Sequence, residues 1–239
     1  MNKIIFANWK ECVTTEAEAV ELARATDAKG LVLCPPHEFL NEVALVVKHA
    51  ALGTQDYAPD AFVRGARYAL IGHADRRDAG RSAGTADTDA IVADKLARAV
   101  TDGLIPVLCV GESHAERDSG MAHGVLRRQI KEGLSRLVNL ESCIMNPLYV
   151  AYEPLWAISS NKKSELCSPE TAISRIVFIK EQLLHLAYDV SVRYLYGGSV
   201  TSKNAAHFLN KKDIDGLLVG AASSNPSELK KIWHLALKL

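Results

Sequence analysis

Residues 149–164 read "YVAYEPLWAISSNKKS", and three regimes meet within them. The run 149–152 is apolar without alternation, as a strand reads when both of its faces are covered. Glu153 ends the run. An unpaired carboxylate costs several kcal/mol to bury, so a paired or working group is expected there. Pro154 and Trp156 stiffen the next step, and the chain then turns small and polar. The same apolar signature recurs at 3–7, 30–34, 51–54, 68–71, 105–110, 148–151, 192–196 and 216–219.

Helix-period segments separate most of these runs. Residues 14–25 carry a Thr cap and early acidic residues, 35–49 open on Pro-Pro, 87–103 end on Gly, and 168–187 begin with Ser168 and Glu170. The spacing predicts one long amphipathic helix over 114–138 and two more over 202–209 and 225–239. Eight covered strands in a β-then-α rhythm predict a closed (β/α)8 TIM barrel, an α/β fold in a single domain over 1–239. An open doubly wound sheet would satisfy the same alternation. The third unit is abbreviated, because residues 55–67 leave room for a turn of helix at most.

Composition excludes several function classes. Of the 239 residues 48% are apolar and 23% charged, and 28 basic residues balance 28 acidic ones, so there is no footprint for nucleic acid or anionic membrane. Basic doublets such as Arg76-Arg77 are scattered and read as solvated faces. Five cysteines, at 12, 34, 109, 143 and 167, form no C-x-x-C pair, which argues for a reducing compartment rather than a disulfide framework or zinc site. With no signal-like segment at the N-terminus and no apolar run of membrane-spanning length, a cytoplasmic protein is expected.

In a barrel of this kind function gathers at the C-terminal ends of the strands. Those ends carry Asn8 and Lys10, Gln55, His73, Gly111-Glu112, Glu153, Gly197-Gly198-Ser199 and Gly220-Ala221. Taken singly, Lys10 reads as a surface cation, His73 as a satisfied strand-end histidine and the glycines as ordinary turns. Together they bring a base candidate, an imidazole and an ammonium to one rim. Two small-residue turns on consecutive late strands complete it, where backbone N–H groups can hold a phosphate dianion.

The segments "ANWK", "LIGHADRR", "LCVGES", "AYEPLWAI", "YGGSV" and "DGLLVGAAS" occur in the order of the triosephosphate isomerase family, which the chain resembles over nearly its whole length. The resemblance implies interconversion of dihydroxyacetone phosphate and D-glyceraldehyde 3-phosphate through an enediolate, with no metal or organic cofactor. It implies Glu153 as base, His73 as neutral electrophile and Lys10 as stabilising cation, with Asn8 orienting Lys10 and substrate. Backbone N–H groups of Ser159, Ser199, Gly220 and Ala221 would hold the phosphate. Residues 154–156, 157–160 and 161–163 would be the hinge, tip and second hinge of a lid that excludes water, and Glu112 would support the lid and base.

Several positions depart from that family's pattern. Ala74-Asp75 stands where Ser-Glu is usual, and the shorter Asp75 is expected to fall short of Lys10. Ser159 and Asn161 replace lid glycines, and Ala221 replaces the second Gly of a pair. The third loop lacks the Gly-aromatic-Thr-Gly excursion that enters a neighbouring subunit, so a monomer or weak homodimer is expected. Two rival readings stand beside this one. Another phosphosugar epimerase or isomerase barrel would share the late turns without the Lys10, His73 and Glu153 set. A catalytically weakened paralogue would act as a phosphosugar-binding or interaction protein.

Overall fold

The computed structural model of the chain describes residues 3–62, 64–77, 86–137, 147–158, 165–186 and 191–239. The strands are β1 (Ile4–Asn8), β2 (Leu31–Cys34), β3 (Ala51–Thr54), β4 (Tyr68–Ile71), β5 (Ile105–Val110), β6 (Leu148–Tyr152), β7 (Val192–Tyr196) and β8 (Gly216–Val219). Each lies within one residue of its sequence-predicted run. All neighbours are parallel and follow chain order, and β8 pairs with β1, Val219 opposite Ala7, to close the barrel. The open-sheet alternative is thereby excluded.

Period-two alternation explains both the core and the position of the rim. Phe6, Leu70, Val107, Cys109, Tyr149, Ala151, Leu195 and Leu218 pack together inside the barrel, whereas the intervening Ala7, Ile71, Leu108, Val150, Tyr152 and Leu217 pack against the helices. Phe6, Tyr68 and Tyr149 meet edge-on with centroids 5.2 to 5.7 Å apart, a geometry that aromatic pairs prefer. Carried past the strand ends, the inward parity falls on Asn8, Gly111, Glu153, Gly197 and Gly220. The stretch that read as a buried run ending in a carboxylate is thus a β6 whose next inward position is Glu153.

Outside lie α1 (Glu16–Thr26), α2 (Leu40–Val46), α3 (Ala74–Arg77), α4 (Asp89–Thr101), α5 (His114–Asp118), α6 (Ala122–Gly133), α7 (Pro169–His185), α8 (Ala205–Leu209) and α9 (Pro226–Ala236). Thr15, Thr88, Ser113, Ser168 and Asn225 cap five of them by accepting backbone N–H groups. Two helix expectations need correction. The single helix over 114–138 is broken into α5 and α6 because Gly120 takes a left-handed φ of 73°, which a right-handed helix cannot contain. The helix over 35–49 shrinks to a 3-10 turn (His37–Phe39) followed by α2. Its C-terminal end is diverted because the Asp27 carboxylate accepts the backbone N–H groups of Lys48, His49 and Ala50 at 2.7 to 2.8 Å.

Between β3 and β4 the described residues form turns and no helix. The doublet Arg76-Arg77 is not a solvated face. The Arg77 side chain is only 8% exposed and donates to Asp89, to Gly72 O and to Cys109 O at 2.6, 2.7 and 3.3 Å. Arg76 joins Asp56 and Asp87 at 3.1 and 3.5 Å, and Lys95 joins the same two carboxylates at 2.6 Å each. These ion pairs lash the start of the third loop to α3 and α4.

Candidate active site

Lys10, His73 and Glu153 converge at the mouth of the barrel. Glu153 is 2% exposed. One of its oxygens lies 3.1 Å from His73 Nε2, and the other accepts from the backbone N–H of Ala74 at 3.3 Å. The backbone N–H of Asp75 donates to His73 Nδ1 at 3.2 Å. An accepting Nδ1 places the proton of a neutral ring on Nε2, facing Glu153 and the cavity. Asn8 Nδ2 sits 3.2 Å from the same Nε2.

Lys10 has a positive φ of 50°, the only such non-glycine among the described residues. Backbone held there costs about 1–3 kcal/mol and persists only where its surroundings fix it. Two side chains fix it here. Asn8 Oδ1 accepts the Lys10 N–H at 3.1 Å, and Gln55 Nε2 donates to the Lys10 carbonyl at 3.2 Å and to Cys34 O at 3.1 Å. The expectation that Asp75 falls short is overturned. Its Oδ2 lies 3.0 Å from Lys10 Nζ and 3.4 Å from His73 Nδ1. The tight Gly72 turn (φ 73°) and the start of α3 bring the shorter side chain inward.

Small residues and a thiol surround the Glu153 side chain. A Cβ on Gly197 would meet Glu153 Cγ at 2.7 Å, and one on Gly111 would meet the Glu153 carbonyl at 1.9 Å. Gln129 of α6 holds Gly111 by both backbone groups, at 2.8 and 3.1 Å. Burial pushes the Cys109 thiol well above its ordinary range, and the neighbouring Glu153 adds to that, so it stays a neutral donor beside the carboxylate. A cavity of about 360 Å³ opens over this cluster, and Ser199, Gly220 and Ala221 line its other wall.

A profile of the family described as triosephosphate isomerase matches residues 63–236. Three curated relatives bearing that name align over nearly the full chain. The protein of Acidithiobacillus ferrooxidans is 38% identical over 259 residues, covering 98% of this chain and 96% of the relative. That of Symbiobacterium thermophilum is 35% identical with coverage of 98% and 96%, and that of Dictyoglomus thermophilum 32% identical with 98% of each. The chain belongs to the triosephosphate isomerase family.

Within this triosephosphate isomerase fold the wall opposite the acid–base cluster is arranged differently. The N–H and the hydroxyl of Ser199 both donate to Ala157 O, at 3.0 and 2.6 Å. The N–H expected to hold phosphate is therefore engaged by the start of the lid segment. Glu112 is fully buried and accepts from Tyr152 OH and Trp156 Nε1 at 3.0 and 3.1 Å, while its carbonyl accepts the Leu155 N–H. Ser159 and Asn161 lie outside the described residues. Ala221 opens the 3-10 turn after β8, and a Cβ on Gly220 would come 3.2 Å from Lys10 Cε.

Three residues that shape this cavity of the triosephosphate isomerase fold went unread in the sequence as site residues. Cys109 and Arg77 stand inside quoted motifs, but one reads as an ordinary core thiol and the other as half of a basic doublet. Gln129 gives no local signal beyond a polar residue on a buried helix position. Among the described residues there is no cluster of three or more His, Cys, Asp or Glu placed to hold a metal.

Proposed function

We propose that the chain interconverts dihydroxyacetone phosphate and D-glyceraldehyde 3-phosphate. The observation that carries the proposal is one cavity with the buried Glu153 carboxylate, the His73 imidazole and the Lys10 side chain held by Asp75 on one side and the β7 and β8 turns on the other. Glu153 leaves His73 and Ala74 to take a proton from the carbon next to the substrate carbonyl. The C–H electron pair becomes the C=C bond of an enediolate, and the carbonyl π pair moves to oxygen. His73 Nε2–H and Lys10 stabilise that oxygen in a site from which water is excluded. Glu153 returns the proton to the adjacent carbon, and His73 relays the proton between the two oxygens. Backbone N–H groups of Ser159, Ser199, Gly220 and Ala221 hold the phosphate, with Ser199 first released from Ala157.

The intrachain network of Asp56, Arg76, Lys95 and Asp87 supports a monomer or weak homodimer, because the short third loop is tied down within its own chain. Sedimentation across a concentration series checks this, and a dimer persisting at nanomolar concentration would contradict it. Balanced charge and the free Cys12, Cys34, Cys109 and Cys167 fit a single-domain cytoplasmic enzyme of glycolysis and gluconeogenesis. No helix among the described residues is long and apolar enough to cross a membrane.

A coupled assay on D-glyceraldehyde 3-phosphate tests the activity. The wild type is expected to turn over and Glu153→Asp to lose about 10²-fold or more in kcat, because the carboxylate is withdrawn by about one C–C bond. No wild-type turnover would favour a phosphosugar-binding protein, and equal rates would remove Glu153 from the role of base.

A further inference from the structure

The two chain ends that flank residues 157–164 are held by a set of contacts outside the cavity. The backbone N–H of Glu165 donates to Trp156 O at 3.0 Å, so the ends are pinned to each other. The Glu165 side chain then reaches α5. Arg117 Nη2 donates to one of its oxygens at 2.9 Å, and His114 Nε2 lies 3.0 Å from the other. The same Arg117 guanidinium lies over the Trp156 ring, 4.2 Å from its centroid, a distance at which a cation is attracted to an aromatic face.

The rest of α5 keeps these two grips in place. Asp118 faces His114 Nδ1 at 3.0 Å and Arg117 Nε at 3.4 Å. The His114 ring thus lies between two carboxylates, Asp118 at one nitrogen and Glu165 at the other. Ser113 and Glu116 form a capping box on this five-residue helix, which gives so short an element a defined start. The Arg117 hydrogen bond holds the Glu165 carboxyl below the usual carboxylate range, so the grip is ionised at neutral pH. Trp156 is buried at 3% exposure, its indole N–H on Glu112. Its successor Ala157 is the residue whose carbonyl occupies Ser199.

We propose that Glu165, Arg117 and His114 form an ionic clasp that positions Trp156, and through it Ala157 and Ser199, for gripping the substrate phosphate. The clasp rests on the phosphate-binding role given above to Ser199, and it adds three positioning residues that touch neither substrate nor reacting atoms. It spans two elements, joining α5 to the chain on both sides of residues 157–164. Among the described residues, losing the Glu165 side chain leaves the Arg117 guanidinium with Asp118 and the Trp156 indole, and leaves the two ends joined by the backbone bond between Glu165 and Trp156.

Glu165→Ala removes both side-chain grips at a half-exposed position outside the barrel core. Two readouts test it. Acrylamide quenching in a Trp233→Phe background reports Trp156, since Trp9 is fully buried, and the quenching constant is expected to rise several-fold. Turnover of D-glyceraldehyde 3-phosphate is expected to lose about three- to tenfold in kcat/KM, the size of a partly exposed ion-pair network. Proton exchange on phosphate-free D-glyceraldehyde, which makes no use of the phosphate grip, is expected to stay unchanged, and Glu165→Gln, which keeps an acceptor for Arg117, to fall between. Unchanged quenching, or equal losses on both substrates, overturns the clasp. Absence of wild-type turnover sinks the isomerase reading instead, and quenching still decides whether Glu165 holds Trp156.

Discussion

The two walls of the cavity are built on different terms. On the acid–base wall Lys10, His73, Asp75 and Glu153 already touch one another through contacts of 3.0 to 3.4 Å, and the strained Lys10 backbone is held on both sides. On the opposite wall, where the phosphate is proposed to bind, the Ser199 N–H donates to Ala157 O. The difference teaches where rigidity is spent. Groups that handle a proton must be oriented before substrate arrives, because geometry sets the transfer rate. The proposed phosphate grip can use N–H groups that change partners, with the Ser199 bond to Ala157 exchanged for one to phosphate.

Substitutions on the two walls should therefore behave differently. The largest effect is expected from Lys10→Ala, which deletes the fixed cation and should lower kcat/KM by about 10²- to 10³-fold. Steady-state kinetics with an unchanged far-UV spectrum would show it, and a loss below tenfold would take Lys10 out of the chemistry. Gly197→Ala comes next. Its Cβ would stand 2.7 Å from Glu153 Cγ, so the carboxylate is displaced and kcat should fall about tenfold to 10²-fold while KM moves little. A fall in KM affinity alone would place Gly197 on the phosphate wall instead. The smallest effect belongs to Ser199→Ala, which removes only the hydroxyl bond to Ala157. It should shift KM by about two- to fivefold and leave kcat within about twofold. A large kcat loss there would erase the distinction between the walls.

Much of the acid–base wall was legible in the sequence for a physical reason. Glu153, Asn8 and the glycines at 111, 197 and 220 continue the inward parity of their strands, and a carboxylate or glycine at the end of a covered run is conspicuous. The barrel followed from the same covered runs. What did not follow depended on backbone turns and tertiary partners. The reach of Asp75 depends on the Gly72 turn, which residue types alone do not specify. Arg77 became an anchor because three acceptors from separate elements surround it. Gln129 earns its place only through Gly111, far away in sequence. The break at Gly120 was misread because the residue type alone does not show that its φ turns left-handed, at 73°.

The central claim is that Glu153 moves a carbon-bound proton at this site, and proton exchange reads that step directly. Dihydroxyacetone phosphate incubated with the protein in D2O, followed by NMR, should acquire deuterium at the carbon that gives up its proton. D-glyceraldehyde 3-phosphate formed in the same tube should carry it at the carbon next to the aldehyde. Glu153→Gln should abolish both signals, and Ser199→Ala should keep them. Deuterium incorporation that survives in Glu153→Gln, or is missing from the wild type, would contradict the account.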